Sequence, residues 1–376
     1  MKIQSPPPFW PKKAPLVDFA RDEGAHPEAK TEWWYLHGYL EDDQQRKYGF
    51  MHALFDAPDV IDARYNKDFP AMPGATMIDL SLTEESAGKQ THHREMRIIP
   101  PLWSHNGIRE GDLDESYKTS QGTWSLRRID SKTFHVLGPS GGDGSLELTM
   151  RQVKPALLMG GGGEIKMGPY GLSKYYTFPK LQVEGTLEVD GQQRKVHGSA
   201  WMDHQWGDMQ MFNGYQGWDW FGIQLDNQTE INAFHFRGEN HSTAHATAGL
   251  SHADGTQSVT EQIHLAPGRH WTSPDTGVTY PVEWHLSLPD KQVELDIRPS
   301  LDAQEMVGHR PYSHPELAPK PTYWEGSMEV QGTVKGQPVA GRAYMELTGY
   351  AGPDLFRQDA VELAQRLSQE AEAAGR

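Results

Sequence analysis

The fold is decided by the stretch Ala200-Trp201-Met202-Asp203-His204-Gln205-Trp206-Gly207, which is followed a short turn later by Gly217-Trp218-Asp219-Trp220-Phe221-Gly222-Ile223-Gln224. Four of the 12 Trp residues of the chain lie here, beside two acids and one His. A buried Trp usually finds a polar partner, and a carboxylate is almost never fully buried unless it is paired. The stretch therefore predicts strands whose large aromatic side chains pack around a few polar groups, either in a core network or in a ligand cavity.

The composition narrows the class of protein. The chain's 376 residues exceed the usual size of a single domain, so two domains are expected. The formal net charge of −16 argues against nucleic-acid binding, because phosphate contacts need clustered Lys and Arg. No stretch approaches the ~20 consecutive apolar residues of a transmembrane segment. The absence of Cys excludes disulfides, thiolate metal sites and Cys nucleophiles.

The N-terminal segment predicts little regular structure. Its first residues, Met1-Lys2-Ile3-Gln4-Ser5-Pro6-Pro7-Pro8, contain no apolar core of a signal peptide. Two locations therefore stay open, the cytoplasm and the periplasm or cell exterior after removal of a leader. Residues 1–19 are rich in Pro and predict an extended N-terminal arm. The sequence does not indicate an oligomeric state.

Aromatic runs and alternating segments predict a chain made mostly of strands. Residues 32–40 and 48–55 are aromatic runs on either side of an acidic turn, which indicates a hairpin. Residues 145–153 alternate between apolar and polar side chains, as expected for a strand with one buried face. The glycine-rich segment 159–171 is interpreted as a linker or a loop of close approach, since no helix pattern follows it. Further short strands are predicted at residues 76–82, 95–99, 122–128 and 133–137.

Repeated text indicates how the strands are arranged. Residues 184–189 recur as 325–330, and residues 196–203 recur as 339–346. A barrel closes by pairing its first and last strands, so related hairpins near both ends of residues 174–350 favour one closed barrel there. A looser similarity between Trp34-Tyr35 and Trp220-Phe221 indicates that the two halves of the chain share a fold. Apolar spacing after residue 353 predicts one amphipathic C-terminal helix.

Several motifs occur in an order that resembles the lipocalin-like AttH family, which is related to the carotenoid 1,2-hydratases (hydroxyneurosporene synthases). The motifs are Glu32-Trp33-Trp34-Tyr35, Lys154-Pro155 with the Gly-rich loop, Tyr175-Tyr176 with Pro179-Lys180-Leu181, residues 201–207 and 217–221, Tyr323-Trp324-Glu325-Gly326, and Glu346-Leu347-Thr348-Gly349-Tyr350. The resemblance covers about residues 20–352. It implies an all-β fold of two tandem lipocalin-like (calycin) β-barrels, at residues 20–172 and 173–352. The C-terminal helix predicted from the apolar spacing occupies residues 353–376.

The resemblance also implies a role with lipids or isoprenoids. Relatives include hydratases, fungal cyclases that catalyse Diels–Alder reactions, and proteins described only as predicted secreted hydrolases. In the hydratase branch, an Asp within a motif that contains Trp and His is held to protonate the alkene. The matching positions in this chain are Asp203, His204 and Trp206. Gln205 departs from the hydratases, which tend to have a different polar residue at that position.

Alkene hydration explains why such residues would be grouped. The reaction needs an acid beside an apolar carbon, and the resulting carbocation must be stabilised and shielded from stray water. Burial can keep an Asp protonated, and facing Trp rings stabilise a cation through their quadrupoles. Alternation along a strand puts Trp201 and Asp203 on one face, whereas Asp219 points away from its neighbouring Trp residues. We therefore expect Asp203 to be the acid, with His204 orienting it or holding the water.

The other candidate residues follow from the same motifs. Secondary acid candidates are Asp219, Glu32 and Glu325. Each acid could instead have a structural role, in which Trp N–H groups bond to carboxylates in a barrel-closing network. No metal site is predicted, because His241 and His245 lack the Glu of a metalloprotease helix. No cofactor is predicted. The candidate substrate-binding residues are Trp201, Trp206, Trp218, Trp220, Trp34, Tyr35, His37, His52, Tyr323 and Trp324.

Three functions stay open at this point. The first is a cofactor-free hydratase, isomerase or cyclase that acts by acid catalysis on an alkene of an apolar lipid or isoprenoid. The second is a protein that binds an apolar small molecule of this kind without chemistry, which a barrel alone would permit. The third is an ester hydrolase, suggested only by relatives, since the chain has no Gly-x-Ser-x-Gly motif.

Overall fold

The structure is a computed structural model, and its described residues are almost entirely β-strand. Three short 3-10 turns, Glu85–Ala87, Met159–Gly161 and Pro289–Lys291, are the helical elements of this part of the chain. No helix within the described ranges is long and apolar enough to cross a membrane. The described residues are 16–26, 29, 31–57, 74–99, 113–167, 171–208, 215–238, 242–307 and 322–351.

The first sheet has twelve strands and a barrel-like form. The strands are β1 (Thr31–Asp42), β2 (Lys47–Ala57), β3 (Gly74–Glu84), β4 (Lys89–Ile99), β5 (Asp114–Thr119), β6 (Gly122–Asp130), β7 (Thr133–Pro139), β8 (Ser145–Gln152), β9 (Leu157–Leu158), β10 (Glu164–Lys166), β11 (Leu172–Val189) and β12 (Gln192–Asp208). Their order in the sheet is β4-β3-β2-β1-β12-β11-β8-β7-β6-β5, and β9 and β10 pair with β11. The carboxylate of Glu95, on β4, accepts hydrogen bonds from the backbone and hydroxyl of Ser120 just after β5, so the two edge strands meet.

The second sheet has ten strands in a matching order. The strands of this part of the chain are β13 (Gly217–Leu225), β14 (Glu230–Arg237), β15 (Thr243–Ser251), β16 (Gln257–Thr260), β17 (His264–Pro267), β18 (His270–Thr272), β19 (Thr279–Pro281), β20 (Trp284–Leu288), β21 (Val293–Pro299), β22 (Glu305–Val307), β23 (Thr322–Val334) and β24 (Gln337–Leu347). The order in the sheet is β16-β15-β14-β13-β24-β23-β21-β20-β17, and β22 pairs with β23. Strands β18 and β19 form a separate hairpin.

The two sheets repeat one topology. In each, the first strand pairs with the second strand and with the last, as β1 does with β2 and β12, and β13 with β14 and β24. The hairpins β11–β12 and β23–β24 occupy the same place, and both turn through two residues with positive φ, Asp190-Gly191 and Lys335-Gly336. The expectation that the repeated text marks both ends of one barrel is therefore wrong. It marks the last hairpin of each module, and the looser similarity of β1 and β13 correctly indicated a shared fold.

The strand pairing also differs from the predicted domain boundary at residues 172 and 173. Strands β11 and β12 pair with β8 and β1, so the first sheet continues to Asp208 and the second begins at Gly217. The reason is that a closing hairpin must return to the first strand of its own sheet, wherever the linker-like glycines lie. The predicted C-terminal helix, residues 353–376, falls outside the described residues, and the N-terminal arm is described only from residue 16.

Alternation along the strands divides the apolar side chains among three clusters. Trp34 and Leu36 of β1 belong to the core of the first sheet, and Phe221 and Ile223 of β13 belong to the core of the second. The third cluster lies between the sheets and takes side chains from both. Neighbours in sequence therefore enter different clusters, since adjacent residues on a strand point to opposite faces. Members of the third cluster include Tyr35, Tyr175, Trp201, Trp220, Phe234, Tyr323 and Tyr344.

Gly222 of β13 provides a test of how closely the sheets pack. A Cβ added there would lie 2.6 Å from Cη2 of Trp220 and 2.8 Å from Nε2 of His37. We expect Gly222→Ala to lower the free energy of unfolding by about 1–3 kcal/mol, because the added methyl overpacks the contact. Thermal unfolding measures the change. Gly162→Ala is the control, since nothing lies within 4 Å of its added Cβ. Equal melting temperatures for the two variants would contradict the close contact.

Candidate active site

Asp203 lies in the contact between the sheets. Its side chain projects from β12 toward the second sheet and is 3 % exposed. Oδ1 accepts hydrogen bonds from Nε1 of Trp201, at 2.8 Å, and from the hydroxyl of Thr177. Oδ2 accepts one from the hydroxyl of Tyr175 at 2.7 Å. Burial raises the pKa of Asp203 to about 7, although the three hydrogen bonds act in the opposite direction.

The second sheet completes the surroundings of this acid. Nδ2 of Asn232, on β14, donates to the hydroxyl of Tyr175 at 2.6 Å and to that of Thr177 at 3.0 Å. Nε1 of Trp220 donates to Oδ1 of the same Asn232 at 3.0 Å. The rings of Trp201 and Trp220 meet edge to face, with centroids 6.1 Å apart. The second sheet therefore supports the acid through two of its hydrogen-bond donors, and Trp201 shares the face of Asp203 as the alternation predicts.

His204 points the other way, into the core of the first sheet. Its Nε2 lies 2.7 Å from Oε1 of Glu32, and its ring stacks on Trp34 with centroids 4.6 Å apart. The structure does not bring His204 to Asp203, because adjacent residues on a strand face opposite sides of the sheet. This corrects the expectation that His204 orients the acid or holds the water. Glu32 and Trp34 are absent from the inter-sheet contact for the same reason.

His26, Glu32 and His204 form the one group among the described residues with the composition and spacing of metal ligands. Their donor atoms lie within 4.8 Å of one another, and Nδ1 of His26 is 2.7 Å from the Oε1 that also bonds His204. Burial alone would raise the pKa of Glu32, but the hydrogen bonds from the two imidazoles lower it. An ionised Glu32 between two His side chains therefore ties the segment that carries His26 to β1 and β12.

Several predicted residues lie in the cores rather than in the contact. Nδ1 of His52 accepts a hydrogen bond from Nε1 of Trp124 at 3.0 Å within the first sheet. Trp206 stacks on His26 with centroids 4.1 Å apart, and Trp324 donates to a backbone carbonyl at 2.8 Å. The structure therefore does not bring His52, Trp206 or Trp324 to Asp203. Each of these side chains has a bonding or stacking partner inside its own module.

Asp219 is also separated from the indoles beside it. Its Oδ2 lies 2.8 Å from Nδ1 of His235, and its Oδ1 accepts a hydrogen bond from the hydroxyl of Tyr350 at 2.9 Å. Trp218 and Trp220 point to the opposite face and belong to or pack on the cluster between the sheets. The structure thus separates Asp219 from the Trp pair, as the alternation predicts, and Asp219 is not part of the site.

Four other predicted residues do enter the contact. The hydroxyl of Tyr35 donates to Oε1 of Glu325 at 2.7 Å, and burial raises the pKa of Glu325 well above its usual value. The hydroxyl of Tyr323 donates to Asp79 at 2.8 Å. His37 is fully buried, and its two ring nitrogens have no hydrogen-bond partner among the described residues. Burial lowers the pKa of His37 well below its usual value, so its imidazole is neutral at neutral pH.

Sequence reasoning missed the residues that come from distant strands. Tyr175, Thr177 and Asn232 surround Asp203 through cross-strand and inter-sheet contacts that no local pattern reports. Glu346 was also missed, although the repeated text aligns Asp203 with it. This Glu lies opposite both Trp220 and Glu325 in the second sheet, and burial raises its pKa to about 8. The repeat was therefore a usable signal for a second carboxyl group.

Two barrel-like modules with an acid buried between them define a class of lipocalin-like β-proteins. The sequence model of the AttH-like family matches residues 11–350, so the chain belongs to this family. A search of curated protein sequences found no match.

Solved structures show the same fold. An AttH protein from Nitrosomonas europaea superposes with a TM-score of 0.74 at 29 % identity, over 92 % of this chain and 99 % of that chain. Kievitone hydratase from Nectria haematococca superposes with a TM-score of 0.68 at 20 % identity, again over 92 % and 99 %. CghA with Sch210972 reaches a TM-score of 0.56 at 16 % identity, over 87 % of this chain and 90 % of that one.

The buried Glu32 provides a test of the His–Glu–His group. We expect Glu32→Gln to lower the free energy of unfolding by about 2–3 kcal/mol, because it removes the charge that accepts two imidazole hydrogen bonds. Urea unfolding measures the change. Glu294→Gln is the matched control, since Glu294 pairs with His285 at 3.0 Å on the surface, where such pairs contribute little. A similar loss in both variants would show that the buried group does not anchor its segment.

Proposed function

We propose that the protein is a cofactor-free acid catalyst that acts on an alkene of a lipid or isoprenoid, as a hydratase, isomerase or cyclase. Asp203 is the acid. The observation that carries this proposal is a buried carboxyl group, with a pKa of about 7, in a contact walled by the indoles of Trp201 and Trp220. A group with this pKa can hold a proton at neutral pH and give it up in the reaction.

The chemistry follows from these side chains. The carboxyl proton of Asp203 passes to one alkene carbon, and the other alkene carbon becomes a carbocation. The π faces of Trp201 and Trp220 stabilise that cation. Addition of water, with return of a proton to the carboxylate, gives a tertiary alcohol or another hydration product. Loss of a different proton to the carboxylate gives an isomer, and attack by a second double bond followed by proton loss gives a ring.

The hydrogen bonds around Asp203 suit both of its charge states. Three donors, on Tyr175, Thr177 and Trp201, stabilise the carboxylate that remains after proton transfer. Stabilisation of charge that appears only during the reaction is a main source of catalysis. The fold is shared with kievitone hydratase, which supports a hydratase type of function.

The same hydrogen bonds also favour a second candidate, a lipid-binding protein without chemistry. In that case Asp203 is held as part of the framework, and its three donors serve only to satisfy a buried carboxylate. Ester hydrolysis has less support. One observation in its favour is that Nε2 of His235 lies 2.9 Å from the hydroxyl of Thr243, while Asp219 bonds the other ring nitrogen. This array is in the second sheet and does not touch Asp203.

Asp203→Asn separates these candidates. We expect this variant to lower turnover of linear isoprenoid alkenes by about 100-fold or more while ligand binding is kept, because it removes the proton and little else. Turnover in D₂O is followed by mass spectrometry as a gain of water or of one deuterium, and binding by native mass spectrometry.

Asp296→Asn, at an exposed position, is the control and should leave both readings unchanged. Loss of binding together with stability in the Asp203 variant would assign the residue to the framework. Hydrolysis of an ester that survives in this variant would point instead to the array of Thr243, His235 and Asp219.

The pH dependence of turnover tests the charge state of the acid. The protonated form of Asp203 is the active one, and the pKa of this group is raised to about 7. Activity should therefore be constant at lower pH and fall about tenfold per pH unit above pH ~7, as the proton is lost. A steady-state rate profile measures this. A rate that rises with pH through neutrality would assign Asp203 the role of a base.

A further inference from the structure

His37 differs from the other buried His side chains. His26, His52, His204 and His235 each have a ring nitrogen within hydrogen-bonding distance of a protein group. Both ring nitrogens of His37 are buried without such a partner among the described residues. Buried polar groups are nearly always hydrogen-bonded, so an exception of this kind needs a cause. The imidazole of His37 is therefore available to form a hydrogen bond with a bound molecule.

Other unpaired polar atoms lie close to His37. Tyr39 follows it on the same face of β1, and the buried hydroxyl of Tyr39 has no partner in the described part of the chain. Glu325 accepts from Tyr35 through Oε1, while its buried Oε2 is unpaired within the same ranges. The ring of Tyr35 lies 5.7 Å from that of His37, so these atoms belong to one polar region between the sheets. It can both donate and accept hydrogen bonds.

One indole connects this polar region with the acid. Nε1 of Trp201 donates to Asp203, and the ring of Trp201 stacks on His37 with centroids 5.7 Å apart. Trp220 makes the same connection from the second sheet, since its ring lies 5.8 Å from that of His37 and its Nε1 bonds the Asn232 beside Tyr175. The polar region and the acid thus both contact the same pair of Trp rings, directly or through Asn232.

We propose that the substrate is an amphiphile rather than a hydrocarbon, with a hydroxyl or carbonyl group that binds at His37, Tyr39 and Glu325 while its alkene lies along Trp201 and Trp220 beside Asp203. The choice of which end reacts rests on the proposed function. A hydrocarbon of the same shape would leave the polar atoms unpaired, and a site built to bond a polar group discriminates strongly against an analogue that lacks it.

The test compares two probes with one carbon skeleton, farnesol and the hydrocarbon farnesene. Each is delivered from cyclodextrin to the full chain, and binding is measured by native mass spectrometry. We expect farnesol to bind at least about tenfold more tightly, because only its hydroxyl can pair with the polar region. Equal affinities would overturn the proposal, since the unpaired atoms would then serve bound water and not the ligand.

Two variants test which side chains cause the preference for farnesol. His37→Phe keeps a buried ring and removes both unpaired nitrogens, so it should abolish the preference for farnesol and leave farnesene binding unchanged. Tyr39→Phe removes only a hydroxyl, does not alter packing, and should reduce the preference at least about threefold. His197→Phe, at an exposed position of β12, is the control and should keep the full preference. A preference that persists in both test variants would overturn the assignment.

Asp203→Asn keeps this proposal separate from the proposed function. The variant should retain the preference for farnesol, because Asp203 acts at the other end of the ligand. Turnover that persists in Asp203→Asn would refute the catalytic role of Asp203. The preference for farnesol over farnesene could still be measured in this variant. If farnesol and farnesene bind equally and turnover is abolished in Asp203→Asn, the proposal of an amphiphilic substrate is refuted, whereas the proposed role of Asp203 stands.

Discussion

The contact between the faces of the two sheets is the constraint on which the rest of the structure depends. Because side chains alternate along a strand, β1, β12 and β13 must fill a core on one side and this contact on the other. Some polar residues in the contact are paired by a group from the opposite sheet, as Tyr175 is by Asn232, whereas His37 is not paired among the described residues. The first sheet supplies the three donors to Asp203, and the second sheet bonds two of these donors through Asn232.

The low dielectric of this contact raises the pKa values of three carboxyl groups. Burial raises the pKa of Asp203 to about 7 and that of Glu346 to about 8, and it raises that of Glu325 well above the usual value. Asp203 accepts three side-chain hydrogen bonds, which act against the effect of burial on its pKa, whereas Glu325 accepts one. Asp203 is therefore a group whose charge can change near neutral pH. The acid catalysis proposed for Asp203 is most efficient when the pKa of the group lies near the working pH.

The sequence predicted the parts of this arrangement that depend on local pattern. Aromatic runs located the strands, and a period of two placed Trp201 with Asp203 and turned Asp219 away. His204 was assigned wrongly because the family motif groups it with Asp203, although the same alternation separates them. The boundary between the modules was misplaced because a repeated hairpin suits either the two ends of one barrel or the last hairpin of each of two. Tyr175 and Asn232 reach Asp203 only through tertiary pairing, which no single stretch encodes.

The buried polar side chains Glu32 and His37 differ in whether the protein supplies their hydrogen-bond partners. In the first sheet, Glu32 satisfies His26 and His204 at once, which is how a protein stabilises polar side chains that it buries for its own sake. In the contact, His37 is buried among aromatic rings with neither nitrogen paired in the described residues, where an apolar ring would fit with less loss of stability. Stability alone does not account for His37, whereas the proposed recognition of a polar group on a bound molecule would. The contact is thus less well satisfied than either core, as expected for a surface that a ligand completes.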